Sequence, residues 1–138
     1  KLDSEVLDYY VIDPEWKIKT ILLHIAKASN NYGQFINGVT ETEPLELEEP
    51  SSSDDIKVLT DKLYEIDQGL IDNQGIGDVD LTIKMRSGVK EHKSSTIFSQ
   101  MVFHAAEHRA QIVAALDRHN VRSINLDDYD VWSYIRAH

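Results

Sequence analysis

Apolar residues recur along this chain at helical intervals in three long stretches, separated by segments where that period fails. The strongest stretch is residues 97–116, where Ile97, Met101, Ala105, Ile112 and Leu116 follow steps built from threes and fours. A second pattern runs through Ile18, Ile21, Leu22, Ile25, Ala28, Tyr32, Phe35 and Ile36 and predicts a long amphipathic helix. Asp13 suits its N-cap, Pro14 its first helical position and Glu15 the positive end of its dipole, so the helix is expected to begin there. Gly38 is the expected stop. The third pattern, Ile56, Leu59, Leu63, Ile66 and Leu70, is the seam of a helix packed nearly parallel or antiparallel in a bundle. Ser52 and Asp55 open it with a capping-box-like spacing.

The remaining segments read differently. In residues 2–12, Leu2, Val6, Leu7 and Tyr10 suggest a short amphipathic turn, the end of a preceding element. The chain opens on Lys1, not Met, and residues are expected upstream of it. Residues 39–55 form an acidic linker with Pro44, Pro50, a serine run and no basic residue, read as a solvated loop. Residues 72–95 are an irregular, extended insert. Gly75 and Gly77 end the helix before it, and Val79, Leu81, Ile83 and Met85 alternate with polar residues as a short strand would. Ser87-Gly88 then turns the chain, and His92 is expected in a solvated polar loop. Near the end of the 97–116 helix, Arg118 and His119 suit the negative pole of the dipole and Asn120 a left-handed cap. The tail, residues 121–138, is expected to dock Tyr129, Trp132 and Tyr134 on the bundle. The expectation is a single all-α domain over residues 1–138, with a short extended insert before the last helix.

Composition narrows the chemistry. The chain is long enough for a core without crosslinks, and it has no cysteine. Disulfides, thiolate metal sites, iron–sulfur clusters and a cysteine nucleophile are therefore excluded, and a reducing cytoplasm suits such a chain. A formal net charge of −10 repels phosphate backbones and anionic membranes, so neither nucleic acid nor membrane is an expected partner. No apolar run approaches a membrane span.

Chemistry concentrates in histidines. His104 and His108 are four residues apart inside the strongest helix, so their imidazoles lie one above the other on one face. His24 lies in the second pattern beside Ile21 and Ala28, at or next to its buried stripe. An unpaired imidazole is costly to bury, and each of the three needs a partner. One divalent metal could serve all three, leaving a coordination position for water or substrate. Imidazole ligation suits zinc, nickel, copper or iron, and spacing does not choose among them. Glu107 and Gln111 are candidates to orient the ligands from outside.

Two rival metal readings fail on sequence. His104-Ala-Ala-Glu107-His108 fits the H-x-x-E-H string of inverted zinc proteases, where Glu107 would be the base. Those enzymes need a carboxylate ligand well downstream, and only a short tail follows here. A di-iron carboxylate bundle needs Glu-x-x-His pairs, and the chain has none.

The mid-helix histidine of ILLHIAKASNNYGQF, the helix–linker–helix, the extended insert and the string V-F-H-A-A-E-H-R-A-Q-I together resemble the DinB/YfiT-like superfamily. The resemblance covers most of the chain. It extends to Arg109-Ala110-Gln111-Ile112, with Ala110 where the family carries glycine, and to Leu126-Asp127 in the tail. It implies an up-down-down-up bundle of four helices with a metal held by His24, His104 and His108. The family places a full helix before the segment matching residues 2–12; here that helix is missing, so either the sequence is a fragment or a neighbouring chain fills the gap. The resemblance also implies a zinc or nickel site, with iron as a further choice, and a homodimer. Some members transfer a low-molecular-weight thiol such as bacillithiol or mycothiol onto an electrophile; others are described as metal-dependent hydrolases. The expected function is thiol transfer, then hydrolysis, with Glu107 as a candidate base. The opposing expectations are a non-catalytic module in which metal or histidines only stabilise the bundle, and a vestigial site.

Overall fold

In the computed structural model, residues 4–72, 77–85, 87–122, 124–129, 133 and 135–136 are described. A short 3-10 helix, Ser4–Asp8, precedes three long helices, α1 (Ile18–Ile36), α2 (Ser53–Asp72) and α3 (Ser94–Arg118). Strands β1 (Asp80–Met85) and β2 (Gly88–Lys93) form an antiparallel hairpin between α2 and α3, and a second 3-10 turn covers Leu126–Tyr129. The chain is mostly helical, but the hairpin makes it more than the all-α domain expected. No helix among the described residues is long and apolar enough to cross a membrane.

Helix α1 is the hub. It packs along α3 on one side and α2 on the other, while α2 and α3 have at most marginal contact with each other. Two apolar clusters pin α1 against α3 in antiparallel register. At one end Ile18 meets Ala115 and Leu116, with Val6 and Leu7 of the 3-10 helix closing the cluster. At the other end Tyr32, Phe35 and Ile36 pack on Ile97 and on Leu81 and Ile83 of the hairpin. Ile83 is fully buried. Its fold positions the mid-helix residues of α1 and α3 opposite one another.

Local rules explain most boundaries. Gly38 adopts φ 83°, and the Val39 and Gly38 amides donate to the Gln34 and Phe35 carbonyls, a Schellman closure of α1. Asn120, at φ 61°, closes α3 in the same way, with the Val121 amide donating to Leu116 and the Asn120 amide to Asp117. At α2 the Asp55 amide donates to Ser52 Oγ, and Asp55 accepts from the Ser51 amide and hydroxyl. The Ser51 amide and hydroxyl, with Ser52 beside them, hold that carboxyl below its usual range.

Other boundaries depart from expectation. Asp13 and Pro14 do not start α1. Asp13 accepts the Glu15 amide on its side chain and the Trp16 amide on its carbonyl, so Asp-Pro makes a tight turn one helical turn before Ile18. Proline suits the second position of such a turn as well as a helix start. Helix α3 begins at Ser94, earlier than its apolar pattern, because Asp78 reaches across from before β1 to accept the Ser95 amide and the Ser94 hydroxyl. β1 is the expected strand, but residues 88–93 are a strand too, and His92 is half-buried opposite Leu81 rather than solvated. Tyr129 is 74% exposed and does not dock on the bundle; Trp132 and Tyr134 lie outside the described residues, as does Gly75. The acidic linker is tied down along α1: Gln34 bonds the Glu43 backbone through both its amide groups, and Thr20 donates to Glu49.

Candidate metal centre

His24 leaves α1 between its two ends, one turn beyond the buried Ile21. His104 and His108 leave α3 one turn apart, as their spacing requires. The antiparallel register brings the three rings together between the two apolar clusters. His24 Nε2 lies 3.0 Å from His104 Nε2, which lies 3.2 Å from His108 Nε2. All three ring donors fall within 4.8 Å of one another, a cluster that could hold a metal ion. His108 is buried and the other two are half-buried.

Tautomers decide what such a cluster can do. His108 Nδ1 is 2.7 Å from Gln111 Oε1, an oxygen that can only accept, so Nδ1 carries the proton and Nε2 offers a lone pair. His104 Nε2 faces two nitrogens and can donate at most one hydrogen. With all three rings neutral, one of the two close N···N pairs is left without a proton between its atoms. A cation satisfies all of them. Zinc–nitrogen bonds of about 2.0–2.1 Å in a tetrahedron set ligand nitrogens about 3.3 Å apart, close to the His24–His104 and His104–His108 separations. The donor set and its spacing fit a divalent ion.

The surroundings of His24 and His104 favour the uncharged ring. Burial, reinforced by His108 and His104, pushes the His24 imidazole below its ordinary pKa. Burial and then His108 push His104 the same way, with Glu107 opposing. Neutral imidazole is the metal-binding form. Gln111 accepts from His108 Nδ1, a bond that orients that ring. Glu107 is exposed beside the cluster, on the wall of a cavity that also touches His108.

Two aromatic residues complete the site, and the sequence pattern singled out neither for it. Trp16 lies parallel to the His108 ring at 5.7 Å and edge-on to His24 at 5.2 Å. Tyr32 meets His104 edge-on at 5.8 Å. Trp16 comes from the Asp13 turn, whose closure no periodicity reveals. The other described histidines stand apart from the cluster: His119 caps α3 and stacks on Tyr9 at 3.8 Å, and the Nε2 of His92 on the hairpin is buried without a partner among the described residues. Compared with models of known protein families, with curated proteins and with solved structures, the chain matches none.

Proposed function

We propose that the chain is a metal-dependent enzyme that transfers a low-molecular-weight thiol onto an electrophile. The observation that carries this reading is the convergence of His24, His104 and His108 through Nε2, with His108 held in the metal-binding tautomer by Gln111. Zinc or nickel is the expected ion, with iron next. When bound, a divalent ion lowers the pKa of a coordinated thiol or water. The protein's own groups do the rest. Gln111 fixes a ligand ring, Trp16 and Tyr32 wall the cluster against water, and exposed Glu107 takes the thiol proton as sulfur forms its bond to carbon and the leaving group departs. The same carboxylate would serve as the base for hydrolysis, the second reading, because it lines the cavity next to His108.

The resemblance to DinB/YfiT-like proteins belongs to this proposal, and so does their four-helix bundle. With α1 between α2 and α3, the side shared by α2 and α3 is the open corner of such a bundle. Val58, Tyr64 and Ile71 on α2 and Val102 and Phe103 on α3 are exposed apolar side chains, which supports a homodimer or a further helix covering some of them. A cytoplasmic location accords with the cysteine-free chain.

The test is metal content by plasma mass spectrometry on wild type beside His24→Ala, after exposure to zinc, nickel or ferrous iron. About one equivalent in wild type and a clear loss in the variant is the expected result. A wild type that retains none of the three ions refutes the reading.

A further inference from the structure

A cavity of about 570 Å³ opens beside the imidazoles, within the range of small-molecule sites. Ile12, Trp16 and Ile21 line it from α1 and the turn before it, and Ala110 and Ala114 from α3. Trp16 belongs to both features, touching two of the imidazoles and walling the cavity. The turn presents it firmly, through Asp13 and through the Ile18 amide donating to the Tyr9 carbonyl. Ile12 is 85% exposed and Trp16 41% exposed, an apolar mouth that folding alone does not require. Among the described residues, the ionisable side chains on the lining besides His108 are Asp13 and Glu107, both acidic, with no Lys or Arg.

We infer that this cavity binds the uncharged, apolar body of the substrate, aliphatic or aromatic, whose reactive head lies at the histidine cluster. The inference deepens the metal-centre reading and rests on it for the head. Within thiol transfer, the cavity takes the neutral electrophile and not an anionic thiol. Two wall carboxylates and a net charge of −10 disfavour any carboxylate or phosphate on the ligand, while the apolar wall rewards a buried ring or chain.

The test separates cavity from metal. In the metal-free full chain, labelled with nitrogen-15, benzyl alcohol is titrated against benzoate. Saturable shifts of the Trp16 indole and of the Ala110 and Ala114 amides are expected for benzyl alcohol, with benzoate at least about tenfold weaker. In Ala114→Phe, which fills the cavity, the benzyl alcohol shifts are expected to disappear, while the unperturbed remainder of the spectrum reports an intact fold. Shifts confined to other residues, an equal response to benzoate, or undiminished binding in Ala114→Phe would overturn the inference. In the zinc-loaded chain, benzohydroxamate should bind at least about tenfold more tightly than acetohydroxamate, and that ratio should fall towards one in Ala114→Phe. A wild type that takes up none of zinc, nickel and ferrous iron refutes the metal reading alone, since the metal-free titration still decides what the cavity binds.

Discussion

His104 is the residue at which stability and metal binding should pull apart. Its Nε2 is shared by two other imidazole nitrogens at 3.0 and 3.2 Å, and one hydrogen cannot serve both. An unsatisfied buried polar contact costs about 1–3 kcal/mol, and half-burial of this ring puts the figure near about 1 kcal/mol. Leucine removes the conflict but also takes from His24 Nε2 and His108 Nε2 their close partner, so gain and loss offset and His104→Leu should stay within about 1 kcal/mol of wild type in chelator. Unfolding entropy of about 2.1 cal/mol/K per residue makes each 1 kcal/mol worth about 3 °C in a chain of this length. In zinc the two proteins separate. At free zinc near 100 times its Kd, wild type gains about 2.7 kcal/mol, or about 9 °C, whereas His104→Leu gains little because it lacks the shared ligand. The assay is thermal melting of both proteins in chelator and in zinc, followed by circular dichroism. If His104→Leu melts well below wild type in chelator and zinc moves neither protein, the imidazoles are structural partners and the reasoning fails.

Three further outcomes test the same geometry. In chelator, stability should fall as pH drops below about 6.5: His24 and His104 have lowered pKa values when folded, so the unfolded chain takes up protons first and the loss is complete only below the folded values; a melting temperature that is flat from pH 7 to 5 would contradict this. Gln111→Leu should weaken zinc binding about 10–100-fold by releasing the His108 tautomer, with helix content by circular dichroism unchanged, and competition against a zinc-binding dye reads the affinity. Gly33→Leu should destabilise by about 1–3 kcal/mol in urea unfolding, because even a Cβ at Gly33 would lie 3.3 Å from Ile66 Cγ2 where α1 crosses α2.

What the sequence made legible was local. The Gly38 and Asn120 caps, the Ser52 and Asp55 box and the spacing of His104 and His108 are each settled within a few residues, and the structure agrees with them. What it hid depends on distant partners. Asp13-Pro14 satisfies the rules of a helix start and of a tight turn equally, and the choice falls to the turn once Ile18 bonds Tyr9. Strand β2 has little apolar alternation because its side chains are mostly exposed; it exists because β1 supplies its ladder, from Asp80 opposite Lys93 to Met85 opposite Gly88. The cap of α3 comes from Asp78, sixteen and seventeen residues before the groups it bonds.

The histidine cluster sits between these cases. Three core-stripe histidines could be read from the chain, but their meeting depends on register between α1 and α3, where a slip of one turn is about 5.4 Å and would part His24 from His104. That register is fixed by residues with no metal chemistry: Ile18 against Ala115 and Leu116 at one end, Tyr32 and Phe35 against Ile97 and the hairpin at the other. Pinned at both ends, the two helices keep the three imidazoles facing one another. The hairpin, which broke the all-α expectation, is therefore part of the site's support, since Leu81 and Ile83 complete the cluster that holds the far end of the register.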